Sequence, residues 1–153
     1  MDKRTEFSTA LVAAMKAKDE LTTATLRLIV AKMREKDIEA RPSGNATGIG
    51  EAEILSMLQG MIKQRQESAD TYAKANRKDL ADRELAEIGV IRRFMPQQMN
   101  DDDVRKTVED LIAELGVKDI KEMGKVMGAL KTRYAGQLDM GKASGLIKER
   151  LAG

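Results

Sequence analysis

The chain has 153 residues, 42% hydrophobic and 34% charged, with a formal net charge of +2, enough for one ordinary domain or two small ones. Cysteine and histidine are absent, which excludes disulfides, thiolate zinc sites and a cysteine nucleophile, and removes the commonest general base and both usual Ser and Cys triads. With two prolines, two Phe, two Tyr and no Trp, the mixture favours an all-α protein, and the absence of a ~18-residue apolar run or a secretory core makes a cytoplasmic location, away from membranes, the default expectation.

Taken in order, Phe7, Leu11, Val12 and Met15 mark one face of a first helix, interrupted by the polar run Lys16 to Glu20. A second helix runs to about Ala40 with a stripe of Leu26, Ile29, Val30, Met33 and Asp37, apolar until its last turn. Arg41 to Gly50 reads as a loop, with a proline, three glycines and Ser, Asn and Thr. Its Asn45-Ala46-Thr47 is formally a glycosylation sequon, without meaning in a cytoplasmic chain. From Glu51 to about Asn76 a long helix carries Ile54, Leu58, Met61, Ile62, Ala69 and Tyr72 on one side, with Lys63, Arg65, Gln66 and Glu67 largely outside it. The next opens near Asp79, has a stripe of Ala81, Leu85, Ile88 and Met95, and stops at Phe94-Met95-Pro96. Four such helices with short connections suggest a helical hairpin arrangement or bundle.

After Pro96 the pattern restarts. Val104, Val108, Leu111, Ile112 and Leu115 lie at helical spacing behind Asn100-Asp101-Asp102-Asp103. Three adjacent acids could suggest a metal site, but Asn at the cap and acids in the first turn are what a helix start prefers, so no metal is assigned. A further helix from about Asp119 buries Met123, Val126, Met127, Leu130 and Tyr134 and stops at Gly136. Asp139 then caps a last helix with Ala143, Leu146, Ile147 and Leu151 inward. The expected organisation is an N-terminal helical domain, 1–96, and a three-helix tail domain, 97–153, with no internal repeat or low-complexity tract.

The tail holds the unusual feature. Glycines recur at 124, 128, 136, 141 and 145 among lysines and arginines. Each glycine inside a helix costs roughly 1 kcal/mol against alanine, so Gly124 and Gly128, four apart on one face, call for a compensating close approach of another backbone. Tight helix packing within the domain is the plain explanation, and a face kept bare for a polymer backbone the sharper one. Charge sharpens the second: residues 97–117 carry two basic side chains against six acidic, whereas 118–153 carry eight against four. Lys121, Lys125, Lys131, Arg133, Lys142, Lys148 and Arg150 supply the basic end, and Lys125, Lys131 and Lys142 are the three expected to converge on one phosphate track. Solvated helix faces would give the same counts. Tyr134 is the tail's only aromatic residue, so RNA would be held by folded shape and backbone rather than by stacked bases. Arg27, Lys32, Arg34, Lys63, Arg65, Arg77 and Lys78 form a second basic group in the N-terminal half, but acids are interleaved with them almost one for one.

The stretches Met15–Arg41 (MKAKDELTTATLRLIVAKMREKDIEAR), Ile62–Met99 (IKQRQESADTYAKANRKDLADRELAEIGVIRRFMPQQM) and Met123–Asp139 (MGKVMGALKTRYAGQLD) resemble the YqeY-like family. The C-terminal part of that family is shared with the tail of the B subunit of glutamyl/aspartyl-tRNA amidotransferase. The resemblance implies a helical N-terminal domain and a tail like the one that helps the amidotransferase hold its tRNA. It does not imply that enzyme's active site, which belongs to a larger domain of the B subunit, so a label of carbon-nitrogen ligase with glutamine as amide donor would be inherited from the tail alone. There is one departure: where the tail commonly reads Asp-Gly-Lys, Asp139 is followed by Met140-Gly141-Lys142, displacing the lysine by a residue. The expectation is thus a non-catalytic module associated with tRNA or other folded RNA, without cofactor, using Lys121, Lys125, Gly128, Lys131, Arg133 and Lys142. The alternatives are an accessory component of an amidotransferase and a protein-protein adaptor docking through Met57, Met61, Met123 and Met127.

Overall fold

The structure is a computed structural model and describes residues 2–44 and 46–152. The sequon at Asn45 lies outside the described residues. The fold is all-α: α1 (Lys3–Lys16), α2 (Glu20–Ala40), α3 (Glu51–Lys74), α4 (Lys78–Arg92), α5 (Asp101–Leu115), α6 (Met123–Arg133) and α7 (Met140–Ala152), with single 3-10 turns at Arg41–Ser43 and Ile120–Glu122 and no strand among the described residues. The chain divides into two compact units, Met1–Met95 and Pro96–Gly153. The residues just past this division belong to the second unit through hydrogen bonds: the Gln98 side chain donates to the Gly136 carbonyl at 2.6 Å and the Met99 amide to the Gln137 carbonyl at 2.8 Å.

The first unit pairs α1 with α2 and α3 with α4, and α2 also packs on α4. Asp2 and Asp19 cap α1 and α2 by accepting from the Thr5 and Thr22 amides. Between the helices lies a core of Phe7, Leu26, Ile29, Ile54, Leu58, Val90 and Ile91, joined by Phe94, whose ring meets Phe7 edge-on with centroids 5.2 Å apart. Two expected stripes are rotated. On α1 the core face is Phe7, Ala10, Leu11 and Ala14, leaving Val12 and Met15 about half exposed. On α4 it runs through Ala81, Ile88, Val90 and Ile91, while Leu85 is 47% exposed. Arg65 is not outside its helix face. It bridges α3 and α4, donating to Glu87 at 2.9 Å, and its side chain retains 12% of its exposure. Met57 and Met61 are core residues, the core filling that Met at helical spacing favours over a docking role.

The second unit packs α5, α6 and α7 around Val108, Leu111, Val117, Val126, Leu130, Leu138, Ala143 and Ile147. Asn100 caps α5 by accepting from the Asp103 amide at 2.8 Å, so the run of aspartates is a helix start. Gly116 ends α5 at φ +65° and Gly136 turns the chain after α6 at φ +75°, conformations that glycine adopts without strain.

Candidate nucleic-acid interface

Which way α6 points is set by what it buries. Asp119 starts the preceding 3-10 turn by accepting from the Lys121 amide at 3.1 Å. In α6, Val126 and Leu130 are fully buried and Met123, Met127, Ala129 and Tyr134 pack partly against the same core. Gly124, Gly128 and Lys131, at i, i+4 and i+7, then form a stripe on the solvent side. Lys121 and Lys125 are exposed beside it. A methyl group added at Gly124 or Gly128 would meet no neighbouring heavy atom within 4 Å. Tight helix packing is therefore not what these glycines serve, and that explanation is withdrawn: the face is open.

Of the residues singled out from the sequence, Lys125, Gly128 and Lys131 lie on the outward side of α6, and Lys121 is exposed in the turn before it. Arg133 and Lys142 do not join them. The Arg133 guanidinium sits 2.7 Å from Glu114 of α5 and holds that carboxyl below the usual carboxylate range. Lys142 lies 3.8 Å from Asp101 at the opening of α5, so the structure gives it a partner in α5. Lys125 stands 3.6 Å from Glu122, whereas Lys121 and Lys131 make no ion pair among the described residues. The groove between α5 and α7 carries Asp101, Asp139 and Glu149 against Arg105 and Lys142, a charge balance unsuited to an anion. In the first unit three of the seven basic residues are paired, Arg65 with Glu87, Arg77 with Asp79 and Lys32 with Glu35.

The sequence reading also missed a repeat. Met123–Lys131 (MGKVMGALK) and Met140–Lys148 (MGKASGLIK) share Met, Gly, Lys, Gly and Lys at the same places. Nine residues is far below the repeat lengths of roughly 20–50 residues that mark stacked architectures, so the match gains meaning only from exposure. In both copies the fourth and eighth positions are buried, Val126 and Leu130 in α6, Ala143 and Ile147 in α7, while both glycines and both lysines are exposed.

Similarity to known proteins bears on the family. The chain is 31% identical over 120 residues to "Altered inheritance of mitochondria protein 41, mitochondrial" of Vanderwaltozyma polyspora, covering 74% of this chain and 62% of that protein. It is 28% identical over 117 residues to the protein of the same name from Lachancea thermotolerans, covering 75% of this chain and 60% of the relative. The Saccharomyces cerevisiae protein of that name is 25% identical over 126 residues, covering 78% and 65% respectively. The match thus spans less than two thirds of these relatives' length. Their names place them in mitochondria, which overturns the expectation of a cytoplasmic location. That expectation rested on the lack of a membrane span and a secretory core, which speaks only to membranes and secretion and does not choose among aqueous compartments. No helix among the described residues is long and apolar enough to cross a membrane. The family model for Yqey-like proteins matches residues 4–151, nearly the whole chain, and the protein belongs to the YqeY-like family.

Proposed function

We propose that the chain is a non-catalytic module that docks on folded RNA, tRNA foremost, through the open side of α6. The observation that carries this reading is the pair of exposed glycines, Gly124 and Gly128, with nothing packed over them. Each costs its helix about 1 kcal/mol against alanine, and no contact among the described residues offsets that cost. Bare backbone beside Lys121, Lys125 and Lys131 suits a phosphate backbone lying close against the helix, since phosphate contacts position a nucleic acid without reading its sequence. Tyr134, the tail's one aromatic side chain, is half-buried in the core, which leaves shape and charge as the means of recognition. The chain has no histidine or cysteine, and the likeness to the amidotransferase lies in that enzyme's tail rather than its catalytic domain.

The test is binding of a labelled, folded tRNA transcript measured by fluorescence anisotropy between about 50 and 200 mM salt. Log affinity should fall linearly with log salt, and each of Lys121→Ala, Lys125→Ala and Lys131→Ala should lower the slope by about one. Lys36→Ala, outside the tail, should leave it unchanged. If Lys125→Glu combined with Lys131→Glu alters neither affinity nor slope in a folded protein, the reading is wrong.

A further inference from the structure

We propose that the groove between α5 and α7 is a docking site for an amphipathic helix of another protein, one whose apolar stripe is flanked by lysine and arginine. It does not rest on the RNA reading, because no residue of α6 lines the groove. The cavity holds about 540 Å³ and draws its lining from two distant stretches, Gln98 to Arg105 and Leu138 to Glu149. Val104 and Leu138 line it from the core, 6% and 2% exposed. Met99 and Leu146 also line it and are only partly covered by the core, so they leave apolar surface for a partner, and a methionine adapts its shape to what it meets.

The walls are fixed before any partner arrives. The Gln98 side chain donates to the Pro96 and Gly136 carbonyls at 3.0 and 2.6 Å, and the Thr107 hydroxyl donates to the Met99 sulfur at 3.8 Å. A preformed site has less order to acquire on binding. On α7 the lining residues Lys142, Gly145, Leu146 and Glu149 fall at i, i+3, i+4 and i+7, one face about 10 Å long. Two turns of this kind are the contact that a short helix makes along a groove. Gly145 leaves that wall without a side chain, and a Cβ there would meet no heavy atom within 4 Å.

Charge selects the partner. Asp101, Asp139 and Glu149 stand against Arg105 and Lys142 around the groove, and Asp102 and Asp103 are exposed beside Asp101 in the first turn of α5. These carboxylates are available. Lys142 only approaches Asp101, at 3.8 Å, in an exposed pair of little strength. Asp139 uses one oxygen, Oδ1, for the Gly141 and Lys142 amides, and Glu149 makes no ion pair among the described residues. Farther along α5, by contrast, Glu109 and Glu114 are closed by Arg150 and Arg133 at 2.8 and 2.7 Å. The open acids repel a nucleic acid and steer a basic helix to the apolar surface between them.

The experiment uses the full chain, isotopically labelled for amide NMR, and two synthetic helical peptides of about 14 residues, or four turns. Both carry the same leucine stripe, flanked by lysine and arginine in one and by glutamate in the other. The basic peptide should shift the amides of residues 98–105 and 138–149 and bind more weakly as salt rises, and the acidic peptide should shift them far less. Asp101→Asn combined with Glu149→Gln should weaken the basic peptide several-fold. Gly145→Leu, which places a side chain in the groove, should abolish its binding while circular dichroism melts stay cooperative. No shift in the groove, equal binding of the two peptides, or undiminished binding by either folded variant overturns the proposal. So does a folded tRNA transcript that shifts the same amides, or self-association in sedimentation that Gly145→Leu abolishes, since RNA or a second copy would then be the occupant.

Discussion

Asp37 illustrates how much one side chain can decide. It stands at the polar end of the α2 stripe, where it accepts both Arg4 guanidinium nitrogens, at 2.9 and 2.7 Å, and the Ile49 amide at 2.9 Å. Arg4 also donates to the Ile49 carbonyl at 3.0 Å, so the two side chains pin the end of the 41–50 loop. The Arg4 hydrogen bonds lower the Asp37 pKa from 3.8 to about 2. A depressed folded-state pKa contributes stability that is present above the unfolded value and is lost as pH falls through the folded one. Asp37→Asn should therefore lower the melting temperature near pH 7, and its difference from the parent should shrink as pH drops from about 4 towards about 2; a difference constant across that range would disprove the linkage. Gly48 approaches the same cluster with φ +98°, and a Cβ there would stand 2.7 Å from both Arg4 Nη2 and Asp37 Oδ1. Gly48→Ala should destabilise by more than about 1 kcal/mol in denaturant titrations, opposite in sign to Gly128→Ala. The two glycines look alike in sequence; their surroundings separate them.

Among elements, the α3–α4 hairpin and the start of α5 show two different sources of helix stability. Glu87 accepts from Arg65 at 2.9 Å and from Arg83 at 3.2 Å. Arg65 and Glu87 are largely shielded from water, so removing the carboxylate strands a half-desolvated cation. Glu87→Ala should cost about 2 kcal/mol, and Arg83→Ala, at an exposed partner, a few tenths at most. Equal costs for both would mean that shielding contributes nothing. On α5, Asn100→Ala removes the cap that Asp103 donates to and should cost about 1 kcal/mol, whereas Asp102→Ala should change stability by less than half as much. Circular dichroism melts of the three proteins would rank them.

At the level of the whole molecule, the two units have separate cores, and a large-to-small change in either should act on its own unit. Leu58 and Leu130 are both fully buried, one in each. Leu58→Ala and Leu130→Ala should each cost about 3 kcal/mol, the first shifting amide resonances and hydrogen exchange within residues 2–95 and the second within 96–152. Exchange that rises uniformly over the chain in either variant would show a single cooperative unit. The tail is near the size at which domains become marginal alone, so Leu130→Ala tests it more severely.

The sequence by itself determined what depends on near neighbours. Helical periodicity marked the seven helices, Asn100 and Asp139 sit where caps belong, and Pro96 interrupts the pattern because it cannot continue a helix. Only the tertiary structure decided matters between residues far apart in the chain. Periodicity shows that a helix has an apolar side but leaves its rotation against a neighbour open, which is why Val12 and Leu85 are exposed and Val90 and Ile91 buried. Nothing local marks Arg4 for Asp37, 33 residues away, or Arg65 for Glu87, 22 away. For the candidate interface, the lysines and glycines of α6 were legible as residues but their openness was not. A GxxxG spacing reads the same whether a neighbouring helix covers it or solvent does, and only the packing of Val126 and Leu130 into the core turns Gly124 and Gly128 outward.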